Sequence, residues 1–247
     1  MRIAVISDIH GNVLALDAAL ADLRAQRIDQ TVCLGDAIQG GPQPAEVVSR
    51  LRDLGCPVVM GNADKWLLTG VVTGAEPSSP EREAKLDAVR QWSLSKLSNA
   101  DKAFIDSFVP TVEIPLEGGH NLLCFHGSPR SFDEVFLPLT PQEEFEKGLG
   151  EYVPNILTGG HTHVQYIRRL ADTFFFNPGS VGLAYSHEQP GDEFHADPWA
   201  QYAVLTSEGD KLGLEFRRIP YDVTKLIEVY RQSGKPYAEE NITEYKR

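Results

Sequence analysis

The sequence predicts an α/β fold in one domain, and three observations carry that reading. Strand-like and helix-like segments alternate over the first 65 residues, which is the pattern of a largely parallel sheet with crossover helices. The strand-like runs are almost continuously apolar, as strands covered on both faces must be. At 247 residues and 42% hydrophobic, the chain is long enough to bury a core without staples, and no linker-like tract divides it. A single domain over 1–247 is expected, with a helical segment at about 65–110.

Arg2–Ser7 (RIAVIS) is the first such run. Gly11-Asn12 then supplies a turn and a helix cap, and Val13, Leu16, Leu20 and Leu23 recur at helical spacing. Thr31–Leu34 is the second strand. The next helix opens near Pro44, buries Val47, Leu51 and Leu54, and stops at Gly55. Pro57–Met60 reads as a third strand. Glu76–Pro80 is a loop by composition, and Glu81–Leu97 is a charged helix with Leu86, Val89 and Trp92 as its apolar positions. A short helix near Ala103–Phe108 follows a Ser98/Asp101 capping box. Asn121–Phe125 is a strand, and Pro138–Leu149 holds a helix with Thr140, Pro141 and Glu143 as its start signal. Asn155–Leu157 and Thr173–Phe176 are short strands. Tyr202–Thr206 and Leu212–Ile219 form a hairpin across Glu208-Gly209-Asp210, and a last helix near Val223–Gln232 ends at Gly234.

Charge and cysteine content narrow the function classes. Lys and Arg total 23 against 35 Asp and Glu, a formal charge of −12, and no three basic residues adjoin. A sequence-independent nucleic-acid binder needs cations to displace phosphate counterions, so nucleic acid is not an expected partner. A polybasic membrane anchor is disfavoured for the same reason, and no apolar run reaches the roughly 18 residues of a membrane span. Cys33, Cys56 and Cys124 are odd in number and widely spaced, so they read as reduced core thiols. A cytoplasmic protein is the expectation, and its helical faces leave a homo-oligomer open.

The chemistry gathers where the strands end. Successive apolar runs finish on Asp8-Ile9-His10, Gly35-Asp36, Gly61-Asn62, His126-Gly127 and His161-Thr162-His163. In open α/β sheets ligands bind beyond the carboxyl ends of the strands, so these side chains should converge. Each block alone is an ordinary turn or a core histidine; five together at one end of one sheet are not. Two carboxylates, one amide and four imidazoles make seven ligand groups, too many for one tetrahedral ion. Oxygen and nitrogen donors without thiolate suit manganese, iron, zinc, cobalt or nickel. Seven donors divide between two ions if one carboxylate bridges, and paired ions can clamp an in-line displacement at phosphorus.

In this order, D-x-H-G, G-D, G-N-x-D, H-G and G-H-T-H, the blocks resemble those of the calcineurin-like metallophosphoesterases. The likeness is greatest to their small bacterial and archaeal single-domain phosphodiesterase branch, which Asn177-Pro178-Gly179-Ser180 and Ile219-Pro220-Tyr221-Asp222 also resemble. The resemblance implies two mixed β-sheets packed as a sandwich flanked by helices, a four-layer αββα arrangement. It implies that Asp8, His10 and His163 hold one metal, that Asn62, His126 and His161 hold a second, and that Asp36 bridges them. Asp36 and Asn62 would thereby serve catalysis. The implied reaction is hydrolysis of a small phosphoester by a metal-bridging hydroxide, with manganese the first choice of ion and magnesium also admitted. A nucleotide or diadenosine-polyphosphate phosphatase, or a non-catalytic scaffold of the same fold, is the alternative. A metallo-β-lactamase site would need Asp-His directly after His163, where Val164-Gln165 stands.

Many family members carry His in the G-N-H-D block as an acid for the leaving group; here the block is Gly61-Asn62-Ala63-Asp64. Phosphodiesters with good leaving groups are therefore expected over alkyl monoesters. Asp64 reads as a first-turn helix carboxylate. Arg130 is weighed between a phosphate clamp, for which a guanidinium is suited, and a surface ion pair. Tyr185–Trp199 reads as a loop near the site, where His187 and His195 could reach substrate but solvent exposure is the plainer expectation.

Overall fold

The computed structural model describes residues 1–71, 79–150, 156–170, 173–189 and 194–246. Two mixed sheets lie face to face. The first has the order β2-β1-β8-β9, with β1 (Arg2–Ile6) parallel to β2 (Gln30–Cys33) and antiparallel to β8 (Trp199–Glu208), which turns into β9 (Lys211–Pro220). The second has the order β3-β4-β5-β7-β6. In it β4 (Asn121–Cys124), β5 (Ile156–Thr158) and β7 (Thr173–Pro178) run parallel, flanked by antiparallel β3 (Val112–Pro115) and β6 (Gln165–Leu170).

Strand alternation explains the layers. Ile3, Val5, Val32, Ala203 and Leu205 face Leu122, Cys124, Ile156 and Phe176 across the gap between the sheets. On the opposite face of the first sheet, Ala4, Ile6, Tyr202 and Val204 meet Leu16, Leu20 and Leu23 of α1 (Val13–Ala25) and Val47 and Leu51 of α2 (Pro44–Leu54). The outer face of the second sheet sets Leu123, Phe125, Leu157 and Phe175 against Phe145 and Leu149 of α6 (Gln142–Leu149). The apolar runs are continuous because both faces of each sheet are covered. Each fully buried Leu, Ile or Phe contributes about 1.5–3 kcal/mol.

The predicted caps hold. Asn12 accepts from the Ala15 N–H at the start of α1, and Ser98 and Asp101 form the reciprocal capping box of α5 (Asn99–Asp106). Between α2 and α5 run α3 (Asn62–Thr69) and α4 (Pro80–Lys96). The C-terminal end carries α7 (Val223–Ser233) and α8 (Ala238–Glu244).

Several boundaries differ from the sequence reading. Pro57–Met60 is no strand: only two isolated bridges form, Val58 with Cys33 and Val59 with Val109, so the segment is extended without a ladder. β3 and β6 are additional strands, both at sheet edges with exposed positions, and Ile167 of β6 is 56% exposed. Part of the Glu76–Pro80 loop, Asn155, and residues 190–193 of the Tyr185–Trp199 segment lie outside the described residues. Cys33 and Cys124 are buried free thiols and Cys56 is half-buried. No helix among the described residues is long and apolar enough to cross a membrane.

Candidate metal centre

The carboxyl ends of β1, β2, β4 and β5 meet at one edge of the sandwich, and there the seven predicted side chains come together. They form two groups, Asp8 with His10 and His163, and Asp36 with His126 and His161; within each group the donor atoms lie within 4.8 Å of one another. Asn62 joins the second group, its Oδ1 2.9 Å from His126 Nε2. The groups adjoin through Asp36, whose Oδ2 is 3.4 Å from His126 Nε2 and 3.9 Å from His10 Nε2.

Backbone conformation aims these side chains. Of the seven non-glycine residues with positive φ among those described, five are candidate ligands: Asp8, His10, Asp36, His161 and His163. Such conformations are uncommon outside glycine and persist only where surrounding structure enforces them.

The neighbouring glycines are required by space. A Cβ on Gly61 would sit 2.1 Å from Asp36 Oδ1 and 2.2 Å from the Asp36 amide nitrogen. One on Gly160 would lie 2.1 Å from Ser7 Oγ and 2.9 Å from Asp8 Oδ2.

Hydrogen bonds fix which ring nitrogen faces inward. The Nδ1–H of His10 donates to the Gln39 carbonyl at 2.9 Å, that of His126 to Leu34 at 2.8 Å and that of His163 to Leu183 at 2.6 Å. A carbonyl can only accept, so each Nε2 points into the centre, the arrangement typical of metal-ligating histidine. His10 Nε2 and His163 Nε2 are 3.1 Å apart, a separation tolerable only with a proton or cation between them. Asp8 Oδ1 is buried without a hydrogen-bond partner, 3.4 Å from His163 Nε2. An orphaned buried carboxylate oxygen beside converging imidazole nitrogens is a donor set that fits a divalent cation.

Without a cation, protons take its place. Burial works against a charged ring at His126, but the Asp36 carboxylate outweighs it and holds His126 up at about 9. His163 is likewise raised, against burial, by Asp8. His161 is pushed down to about 4 by burial and by the charge on His126. Asp36 stays well below the usual carboxylate range, because His126 overcomes the cost of its burial. Since His126 is raised above its ordinary 6.5, its stabilising charge is fully present below that value and is lost as pH climbs through about 9 in the metal-free protein. A metal needs the same lone pair. Loading manganese at pH 7.5 is expected to expel about one proton from His126, seen as a dependence of calorimetric heat on the buffer's ionisation enthalpy. Heats identical across buffers would contradict it.

Two further parts brace the centre. Asn177 donates to the Gly160 carbonyl at 2.7 Å and to Thr162 Oγ1 at 3.1 Å, and Ser180 Oγ donates to the Asp8 carbonyl at 2.7 Å. The Asn-Pro-Gly-Ser block thus clamps the His161–His163 loop and Asp8. Asp64 is in the first turn of α3 as expected, but it is buried and works elsewhere: its carboxylate accepts from the Ala37 and Ile38 amides of the Asp36 loop at 3.0–3.1 Å. Arg130 engages other partners. Its guanidinium donates to the Lys147 carbonyl at 2.6 Å and pairs with Glu134 at 3.3 Å, which is the surface ion pair of the two readings weighed.

Residues 1–196 match the calcineurin-like phosphoesterase superfamily domain. The chain belongs to this superfamily. Among curated proteins it is similar to the uncharacterised protein MJ0912 of Methanocaldococcus jannaschii, 29% identical over 92% of this chain and 90% of that one. Among solved structures, a metallophosphoesterase from Sphaerobacter thermophilus superposes with a TM-score of 0.73 at 23% identity, covering 98% of both chains. The hypothetical protein PH1004 from Pyrococcus horikoshii superposes with a TM-score of 0.79 at 20% identity, covering 98% of this chain and 97% of that one. Both share the two-sheet sandwich with this calcineurin-like phosphoesterase domain.

Proposed function

We propose that the protein is a dinuclear-metal phosphoesterase that hydrolyses small phosphodiesters bearing good leaving groups. The observation that carries the reading is the pair of three-residue groups with one Asp36 oxygen between them. Asp8, His10 and His163 would hold one divalent ion, and Asn62, His126 and His161 the other, with Asp36 shared. Bound there, such ions supply Lewis acidity toward phosphoryl oxygens and lower the pKa of water.

The chain's own contribution is positional. Asp36 Oδ1 is pinned by the Ala63 N–H at 2.8 Å, which leaves Oδ2 facing both groups. Asp8 Oδ2 accepts from the His161 amide at 3.1 Å, tying the two sheets together across the site. Ala63 stands where a proton donor to the leaving group is expected from the family pattern, and a methyl group donates none. Loss of a positioned acid costs about 10²–10⁴-fold when the leaving group needs protonation. Turnover of an aryl diester such as bis(p-nitrophenyl) phosphate should therefore exceed that of an alkyl monoester by about that factor. Comparable rates would defeat the assignment. The acidic surface further favours small substrates over nucleic acid.

The deciding test is a panel of diesters, monoesters, nucleotides and diadenosine polyphosphates, run on stripped protein with Mn, Ni, Co, Mg and Zn. Full activity after stripping, or none with any ion, would refute a metal-dependent phosphoesterase. Preferred turnover of the nucleotide arms would replace the diester assignment.

A further inference from the structure

An aromatic surface adjoins the first metal-ligand group. The Tyr185 ring packs against the ring of His163 with centroids 5.2 Å apart, then against His187 at 4.9 Å and Phe194 at 5.0 Å. The segment is fastened at both ends. Leu183 accepts the His163 Nδ1–H at 2.6 Å, and His187 Nε2 donates to the carbonyl of Thr162, between two candidate ligands, at 2.7 Å. The loop is solvent-exposed at His187 and His195, as expected, yet it holds the Tyr185 ring against a candidate ligand histidine. This is not core: Tyr185 and Phe194 are half-buried and His187 is exposed. Rings kept partly in water at the rim of a catalytic centre cost apolar exposure, and they become useful when a flat group covers them.

We infer that Tyr185, His187 and Phe194 form a stacking platform that selects phosphoesters carrying a planar aromatic group, an aryl ring or a nucleobase, next to the phosphorus. The inference rests on the phosphoesterase reading, because the metal-held phosphate places the ester beside His163. Tyr185 is a specificity residue here. Its ring face supplies the contact and its hydroxyl is not required.

Binding, independent of turnover, tests the platform. Manganese-loaded protein is titrated calorimetrically with phenylphosphonate and with methylphosphonate, which share the anion and differ in the flat group. Wild type should bind phenylphosphonate about 3–10-fold more tightly, the range expected for one ring–ring contact. Tyr185→Leu should abolish that preference while leaving methylphosphonate affinity and metal stoichiometry unchanged, and Tyr185→Phe should keep it. An equal loss for both phosphonates would show that Tyr185 only props His163, and would overturn the platform. A preference that survives in Tyr185→Leu would overturn it too. Metal-dependent turnover of the ester panel with equal affinity for the two phosphonates refutes the platform alone, whereas absence of both turnover and phosphonate binding refutes the phosphoesterase reading and the platform with it.

Discussion

Asp36→Asn is expected to lower turnover of bis(p-nitrophenyl) phosphate by at least about 10³-fold, equivalent to about 4 kcal/mol of lost transition-state stabilisation. The geometry dictates how the amide must sit. The Ala63 N–H reaches Oδ1 at 2.8 Å and needs an acceptor, so the amide oxygen takes that place. The NH₂ group then points where Oδ2 now lies, between His10 and His126, and presents hydrogens where a cation would need a lone pair. Shape and one hydrogen bond are kept, so the loss should appear without unfolding. If two ions bind per chain as proposed, metal content should fall to one or fewer. In the metal-free variant His126 should also titrate well below about 9, because the carboxylate that counters its burial is gone. Wild-type turnover with two bound ions would contradict the sharing of Asp36.

The same geometry shows what could be read from sequence. Four of the five candidate blocks follow a strand, β1, β2, β4 or β5, so the apolar run reveals the strand and its abrupt end reveals the side chain at the sheet edge. Asp8, Asp36, His126, His161 and His163 were legible for that reason. Asn62 was legible only by its place in the order of blocks, since its segment makes isolated bridges rather than a strand. Edge strands β3 and β6 were illegible because neither is a continuous apolar run: β3 alternates over only four residues, and in β6 the exposed Ile167 breaks the alternation. The short helix α8 has two glutamates in its first turn and one fully buried residue, Ile242, too few apolar positions to show a period. Long-range hydrogen bonding was also out of reach. Nothing local in Asp64 says that it serves a loop 26 and 27 residues earlier, and nothing local in Arg130 says that a carbonyl at Lys147 will take its guanidinium. The sequence places the Tyr185–Trp199 loop near the site and His187 within reach of substrate, but the contact of the Tyr185 ring with His163 shows only in the structure.

Asp64→Ala should destabilise the metal-free protein by about 3–5 kcal/mol, because it strands two buried amides that have no other acceptor, at about 1–3 kcal/mol each, and opens a small cavity beside them. Asp64→Asn should be far milder, since Oδ1 alone already accepts from both Ala37 and Ile38 and an amide oxygen can do the same. Burial and the neighbouring Asp36 charge push Asp64 up to about 7 against the pull of those amides. A carboxyl raised in the folded state makes the wild type lose stability as pH rises from about 4 to about 7. Asp64→Asn should lack that part of the slope in urea unfolding of stripped protein across the window. The functional consequence follows from what the anchored loop carries: Asp36 itself, and the Gln39 carbonyl that orients His10. Deleting the anchor should therefore weaken metal binding by about 10–100-fold in Asp64→Ala, the usual cost of removing a group that orients ligands. If Asp64→Ala were as stable as wild type, the anchoring role would be wrong. If Asp64→Asn fell as far as Asp64→Ala, the loop would depend on the carboxylate's charge and not on its acceptor geometry.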